Sequence, residues 1–322
     1  PNGFFANAVR LNDDLLLAIS TDGVGSKTVV AQLANSYEGI GFDCIAVNVN
    51  DVLCTGAEPI ALVDYISCEI PQSEMLDQLG KGLAEGAKKA GIAIVGGELS
   101  QHPDTLSGPR PGYAFDIAGT AIGILKNRLP ITGANICPGD IILGFPSNGV
   151  HSNGLTLARH ILLSEANDID RYLPQCGATV GEELLRPTAI YVPEILKILS
   201  TGINVKGLAH ISGDGLLNLT RLNADISFSI DSLPPIPPIF EIIKNEGKVT
   251  YGEMFKVFNM GIGFCIVVGP EDADRTIAAL DENHVIPHII GTATADPGKK
   301  VFLHQFDLVG ADGLFTQGSV SW

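Results

Sequence analysis

Ser20-Thr21-Asp22-Gly23-Val24-Gly25-Ser26-Lys27, followed by Val49-Asn50-Asp51-Val52 and Gly56-Ala57-Glu58-Pro59 and closing at Asp64, is the stretch on which fold and chemistry turn. Apolar runs at 15–19 and 45–49 lead up to Asp22 and Asp51. Such a run carries chain through a core, and an Asp where it stops can project into a cleft at the core's edge. Two such Asp residues, a turn with Gly23 and Gly25, and Lys27 fit a place where a metal ion meets a phosphate. Mg²⁺ takes hard oxygen ligands and keeps waters and phosphates, and glycine lets backbone N–H groups approach an anion. The plainer reading makes Asp22 a turn residue and Asp51 an exposed cap, while Lys27 either contacts phosphate or covers apolar surface. Asp-Gly-Val-Gly-Ser-Lys lacks the P-loop spacing G-x-x-x-x-G-K-[ST].

Around this stretch, 15–19 reads as a short buried strand and 29–34 as a short helix, whereas 42–53 suits either state. A strand is expected at 61–66. A helix is expected at 73–90, where Met75, Leu76, Leu79, Leu83 and Ala87 form one stripe and Gly91 is a natural stop. The apolar run 92–95 ends at Gly96-Gly97-Glu98, so Glu98 either joins the metal cluster or is a surface carboxylate at a tight turn. Asp64 and Asp116 lie inside apolar segments, where a charge must be paired, metal-bound or turned outward. A loop is expected at 101–111 and a long strand at 114–125, whose glycines predict bends or close backbone approach. The first domain is expected to span 1–132 and the second 133–322.

The second part opens on a strand at 141–145 and a loop holding Asn148, Gly149, His151, Ser152, Asn153 and Gly154 ahead of a helix at 155–165. Small hydrogen-bonding residues at a helix N-terminus suit a ribose phosphate or another anion. His151 either serves the substrate or is structural. His210, ahead of Ser212-Gly213, makes a similar case. Pro187-Thr188 is read as the start of a helix through 199, and 210–215 as a loop entering a helix through 222. Further strands are expected at 226–230, 263–268 and 285–292, and helices at 239–245, 251–258 and 270–280. Strand–helix alternation over short connections predicts a mixed α/β chain of the α+β class, with antiparallel pairing fitting at least as well as βαβ winding.

The 322 residues, 45% hydrophobic, are enough for two cores, and a mean hydropathy of +0.26 argues against disorder. A net charge of −16 without a basic cluster disfavours nucleic acid as a partner. No apolar run approaches the roughly eighteen residues of a membrane span, and no secretory leader is visible. The six cysteines are scattered without a C-x-x-C pair, which fits reduced thiols in a cytoplasmic compartment. Pro1 in place of Met reads as a start inside a longer product. No G-x-S-x-G elbow or Cys–His arrangement supports acyl chemistry.

Thr21 to Lys27, Val49-Asn50-Asp51-Val52, Gly56-Ala57-Glu58-Pro59 with Asp64-Tyr65, and Gly96-Gly97-Glu98 together resemble the aminoimidazole ribonucleotide synthetase family, also called phosphoribosylformylglycinamidine cyclo-ligase. Gly149-Val150-His151-Ser152-Asn153-Gly154, Arg186-Pro187-Thr188-Ala189-Ile190-Tyr191, Ala209-His210-Ile211-Ser212-Gly213 and Phe258-Asn259-Met260-Gly261-Ile262-Gly263 continue it in the family's order. The resemblance implies a two-domain fold whose N-terminal sheets join two copies in a homodimer barrel, with ATP at the shared interface and a C-terminal α/β domain that helps bind the ribotide. It implies ATP- and Mg²⁺-dependent closure of the imidazole ring in purine synthesis. ATP activates the amide oxygen of formylglycinamidine ribonucleotide, the ring nitrogen attacks, and aminoimidazole ribonucleotide, ADP and phosphate leave. Carried over, Asp22, Asp51 and Glu98 would hold metal and ATP phosphates, with Gly23, Gly25, Lys27, Asn50 and Asp64 supporting the nucleotide. Asn148, Ser152, Asn153, Gly154 and Gly213 would meet the ribotide, and His151, His210 and Lys27 are catalytic candidates.

Three departures are visible. The family has a Gly-rich, Lys-containing segment before its first strand, and this sequence starts too late to show it. Asp214 interrupts a run of glycines, and Leu99-Ser100 replaces the segment carrying the family's second acid after Glu98. The competing expectations are another ATP-using relative, of thiamine-monophosphate kinase or selenophosphate synthetase type, and a dimeric nucleotide-binding protein weakened in turnover.

Overall fold

The computed structural model describes residues 4–164 and 166–318. Strands β1 (Asn7–Arg10), β2 (Leu15–Gly23), β3 (Glu58–Cys68), β4 (Ala93–Gln101) and β5 (Phe115–Lys126) form one sheet in the order β1-β2-β5-β3-β4. Its pairings are antiparallel except β3–β4. Helices α1 (Lys27–Ala34), α2 (Glu38–Leu53) and α3 (Ser73–Ala90) belong to the same half.

The ambiguous segment 42–53 is helical. It buries Ile45, Val49 and Val52 together with Asp43, Asn48 and Asn50, so α2 is enclosed around most of its girth and apolar spacing alone does not identify it. Close approach, not bending, explains the β5 glycines. A Cβ on Gly119 would stand 2.9 Å from Asn48 Nδ2, and one on Gly123 would stand 2.4 Å from Val52 Cγ1, so α2 seats directly on the strand. The run 92–95 does not end in a turn at Gly96. Strand β4 continues through Gln101, and Glu98 lies within it. The face of the sheet away from α2 and the β4 edge leave Ile19, Val63, Tyr65, Val95 and Leu99 exposed.

The second half holds β6 (Ile141–Pro146), α4 (Leu155–Leu162), the short pair β7 (Tyr172–Leu173) and β8 (Ala178–Thr179), α5 (Val180–Leu184), α6 (Val192–Ser200) and β9 (Val205–His210). It continues with β10 (Ser227–Ile230), α7 (Pro238–Gly247), α8 (Tyr251–Val257), β11 (Ile262–Val268), α9 (Ala273–Ala278), β12 (His288–Thr294), β13 (Val301–Leu303), β14 (Leu308–Ala311) and β15 (Leu314–Gln317). Eight of these strands form a sheet ordered β15-β14-β13-β10-β12-β6-β11-β9. Only β10–β13 is parallel. Mixed α/β content with predominantly antiparallel pairing agrees with the α+β expectation.

Two expected helices change. Helix α6 starts at Val192, not at Pro187-Thr188, because the backbone of 187–191 is bonded elsewhere. The Thr188 N–H donates to Asp43 Oδ1 at 2.6 Å, Asn50 Nδ2 donates to the Ala189 carbonyl at 2.8 Å, and the Tyr191 N–H donates to Asn50 Oδ1 at 3.1 Å. This extended segment is stitched across the two halves of the chain. The expected helix through 222 is a 3-10 helix, Gly215–Arg221, with Asp214 preceding it in the left-handed region at φ 71°.

Candidate functional site

Strand β2 delivers Asp22 to the sheet's inner end. Asp22 and Asp64 both pair with Gly119 of β5, so the two carboxylates lie on one face of the sheet, two strands apart. Asn48 of α2 anchors this end: it accepts from the Asp22 N–H at 2.8 Å and donates to the Asp22 carbonyl at 3.1 Å. Asp51 reaches the same region from the last turns of α2, and His210 Nδ1 meets its Oδ1 at 2.8 Å from the end of β9. Burial holds the Asp22 pKa above the usual carboxylate range, and the Asp51 charge adds to the rise. The Gly23 N–H and His210 pull the other way. A carboxylate raised by burial and by a neighbouring acid fits a cation that would relieve it.

Glu98 does not join them within one chain. It pairs with Tyr65, one residue out of phase with Asp64, so strand alternation turns it to the opposite face. Among the described residues no group of three or more His, Cys, Asp or Glu side chains converges as a metal cage. The pair Asp22–Asp51 alone is suited to Mg²⁺, which keeps waters and substrate phosphates in its shell.

Lys27 is corrected outright. Its side chain is 0% exposed, paired with Asp43 at 2.7 Å and donating to the Arg186 carbonyl at 2.7 Å. Burial lowers its pKa against the pull of Asp43. An ammonium so enclosed is available neither to a phosphate nor to proton transfer. His151 is likewise internal. It sits at φ 62°, 3% exposed, with Nε2 2.8 Å from Asn148 Oδ1. Burial, then Lys27 and His210, drive its pKa well below the ordinary histidine value. It is therefore a neutral support of its loop and not an acid–base group facing substrate. Asn50 and Asn148 are also largely spent on structure, Asn50 on Ala189 and Tyr191, and Asn148 on the Pro187 carbonyl and His151.

Four other predicted residues, Gly25, Ser152, Asn153 and Gly154, line one cleft. A cleft of about 540 Å³ is walled by Gly25 and Ser26 from one half and by Ser152, Asn153 and Gly154 from the other. Ser26 Oγ and Thr156 Oγ1 meet at 3.0 Å between the starts of α1 and α4. Neither helix has a side-chain cap; in α1 the Thr28 and Val29 N–H groups already donate to the Gly25 and Ser26 carbonyls, whereas the first turn of α4 leaves N–H groups to a ligand or water. Gly154 takes φ 80°, and a Cβ there would stand 2.3 Å from the Phe258 ring, so this wall requires glycine. Gly213 abuts Asn153, which brings the 210–215 loop against the same wall.

Three contributors are not among the site residues expected from the sequence. His160 and Glu253 line the cleft, on α4 and α8. His160 follows Ser152 by two helical turns, which offers a faint signal, whereas Glu253 is a hundred residues away and offers none. Asn259 buttresses the loop: it donates to the Gly149 and Val150 carbonyls at 2.9 and 3.2 Å and accepts from Ser147 Oγ at 2.8 Å. Another surface hollow, near Asp13, Asp14 and Lys126, lies at the far end of β2 and β5 from these groups.

Comparison with known proteins agrees with this layout. The AIR synthase related protein families match residues 5–125 with their N-terminal domain and 137–304 with their C-terminal domain. A phosphoribosylformylglycinamidine cyclo-ligase of Methanothermobacter thermautotrophicus is 45% identical over 302 residues, covering 94% of this chain and 86% of the relative. This chain belongs to the phosphoribosylformylglycinamidine cyclo-ligase family. Distant members of the cyclo-ligase fold share its architecture. The AaThiL complex with AMPPCP and TMP superposes with TM-score 0.66 at 17% identity, over 93% of this chain and 87% of that one. Hydrogenase maturation protein HypE in complex with ATP gives TM-score 0.65 at 19% identity, over 92% and 83%. The long cyclo-ligase motifs around Asp22, Asp51 and His210 thus fall on elements that meet in space.

Proposed function

We propose that the chain closes the imidazole ring of formylglycinamidine ribonucleotide at the expense of ATP, giving aminoimidazole ribonucleotide, ADP and phosphate. What carries this reading is the cleft: the Gly25-Ser26 turn and the Ser152–Gly154 wall face each other there at two uncapped helix starts. Helix N-termini stabilise an anion without a fixed cation, which suits the ribotide phosphate in a chain of net charge −16. Glu253 on the far wall offers a carboxylate to the cationic amidine of the same substrate. Asp22 and Asp51 would hold Mg²⁺, which neutralises charge on the transferring phosphoryl group when bound. Asn48 fixes the Asp22 backbone and His210 fixes Asp51, so both carboxylates are oriented before substrate arrives. The working division is a nucleotide-binding and dimerising part, 1–132, and a ribotide-binding part, 133–322. Incubation of the protein with formylglycinamidine ribonucleotide, ATP and Mg²⁺ is expected to release ADP together with aminoimidazole ribonucleotide. Nucleotide binding without ring closure would instead favour a kinase-type relative or a protein that has lost turnover.

The exposed apolar strip Ile19, Val63, Tyr65 and Val95 is the face through which two copies would join, with Glu98 on the same side as Tyr65. Val63→Lys with Tyr65→Lys is expected to convert a dimer to a monomer by light scattering after size exclusion. A dimer unchanged by both substitutions would remove this face as the interface.

A further inference from the structure

A buried ion pair in an enzyme half–half boundary raises the question of what it holds, because such pairs contribute little net stability compared with apolar packing. Lys27 and Asp43 are both 0% exposed, and each makes a second bond to the same short segment of the other half. Lys27 Nζ donates to the Arg186 carbonyl at 2.7 Å, and Asp43 Oδ1 accepts from the Thr188 N–H at 2.6 Å. The Thr188 hydroxyl, itself buried, lies 2.9 Å from Ser152 Oγ, and Ser152 lines the cleft. On the opposite wall, Ser26 is the immediate neighbour of Lys27. A single charged pair is therefore tied to both walls, through one covalent step on one side and through Thr188 on the other.

We propose that Lys27 and Asp43 are positioning residues that set the spacing of the ribotide cleft, acting on Ser152 through Thr188. The proposal rests on the ribotide-binding reading above. The charges suit this task because each provides directed bonds to a fixed backbone segment, which apolar side chains cannot do. Its weak link is the lone hydroxyl pair between Thr188 and Ser152, and this is where it is tested.

Thr188→Val keeps the Thr188 N–H bond to Asp43 and nearly the same volume, and removes only the hydroxyl. It is expected to weaken formylglycinamidine ribonucleotide binding about tenfold by calorimetry without ATP, and to raise the ribotide KM by a similar factor with kcat within about threefold of wild type. Thr188→Ser is expected to restore both. Lys27→Met with Asp43→Asn removes both charges, leaves an acceptor for the Thr188 N–H, and is expected to reproduce the ribotide defect while the melting temperature stays near wild type. Unchanged ribotide binding in Thr188→Val and in the double variant overturns the proposal. So does a defect that follows melting temperature and is not rescued by Thr188→Ser. Wild-type protein that binds the ribotide but does not close the ring would defeat the ring-closure reading alone, since binding still scores the positioning role. Wild-type protein that fails to bind it would defeat both.

Discussion

Asp51→Asn is expected to slow ring closure by about two to three orders of magnitude at saturating ATP and Mg²⁺, while the melting temperature moves by no more than a few degrees. The asymmetry follows from the surroundings of the side chain. Asp51 sits where α2 ends, beside Asp22 and bonded to His210 Nδ1 at 2.8 Å. The asparagine oxygen can still accept from a protonated Nδ1, so the contact with His210 survives the change. What is lost is the negative charge, and with it one hard ligand of the proposed cation. Removing that charge also relieves Asp22, whose pKa is expected to fall back toward the ordinary carboxylate range because Asp51 is one of the two causes of its rise. Steady-state kinetics alongside thermal unfolding checks the result. Equal losses of activity and stability would make Asp51 a structural residue.

Lys27→Met gives the opposite pattern, with stability falling first. The substitution leaves the Asp43 carboxylate fully buried without its cation, and such half-broken pairs typically cost about 3–5 kcal/mol. For a chain of this size that corresponds to a melting temperature lower by on the order of 10 °C. Adding Asp43→Asn should recover most of it, because the uncompensated charge is what destabilises. A double variant no more stable than Lys27→Met would show that packing of the lysine stem, not charge, dominates. The comparison also separates the two roles that a lysine in a Gly-rich turn can take, since a phosphate-binding lysine would lose activity without losing stability.

Lys27 shows why part of the site was not legible. In the sequence it follows Asp22-Gly23-Val24-Gly25-Ser26 and looks like a phosphate ligand. Its actual partner, Asp43, lies on α2, and the carbonyl it also reaches belongs to Arg186. His151 was hidden in the same way, in a polar loop whose histidine turns inward onto Asn148. Glu98 was misplaced by a single step of phase, because a strand that continues past Gly97 sends successive side chains to opposite faces. By contrast, helix α3 was legible to the residue, since its apolar stripe, its polar outer face and the left-handed Gly91 all lie within one segment.

The sequence by itself determined the locally encoded features: the α3 stripe, the long glycine-bearing strand β5, the polar Ser152-Asn153-Gly154 turn ahead of α4, and an ordered set of motifs sufficient to name a family. The tertiary structure alone decided which of the motif residues share a site. It placed Gly25-Ser26 against Ser152–Gly154, set Asp51 beside Asp22 and His210, buried Lys27 with Asp43, and brought Glu253 to the cleft. The reason is physical. Periodicity and turn chemistry are properties of a few neighbouring residues, whereas burial, charge pairing and a pKa depend on groups on other elements, from Asp43 beside Lys27 to His210 beside Asp51, that only the packed chain brings within bonding distance.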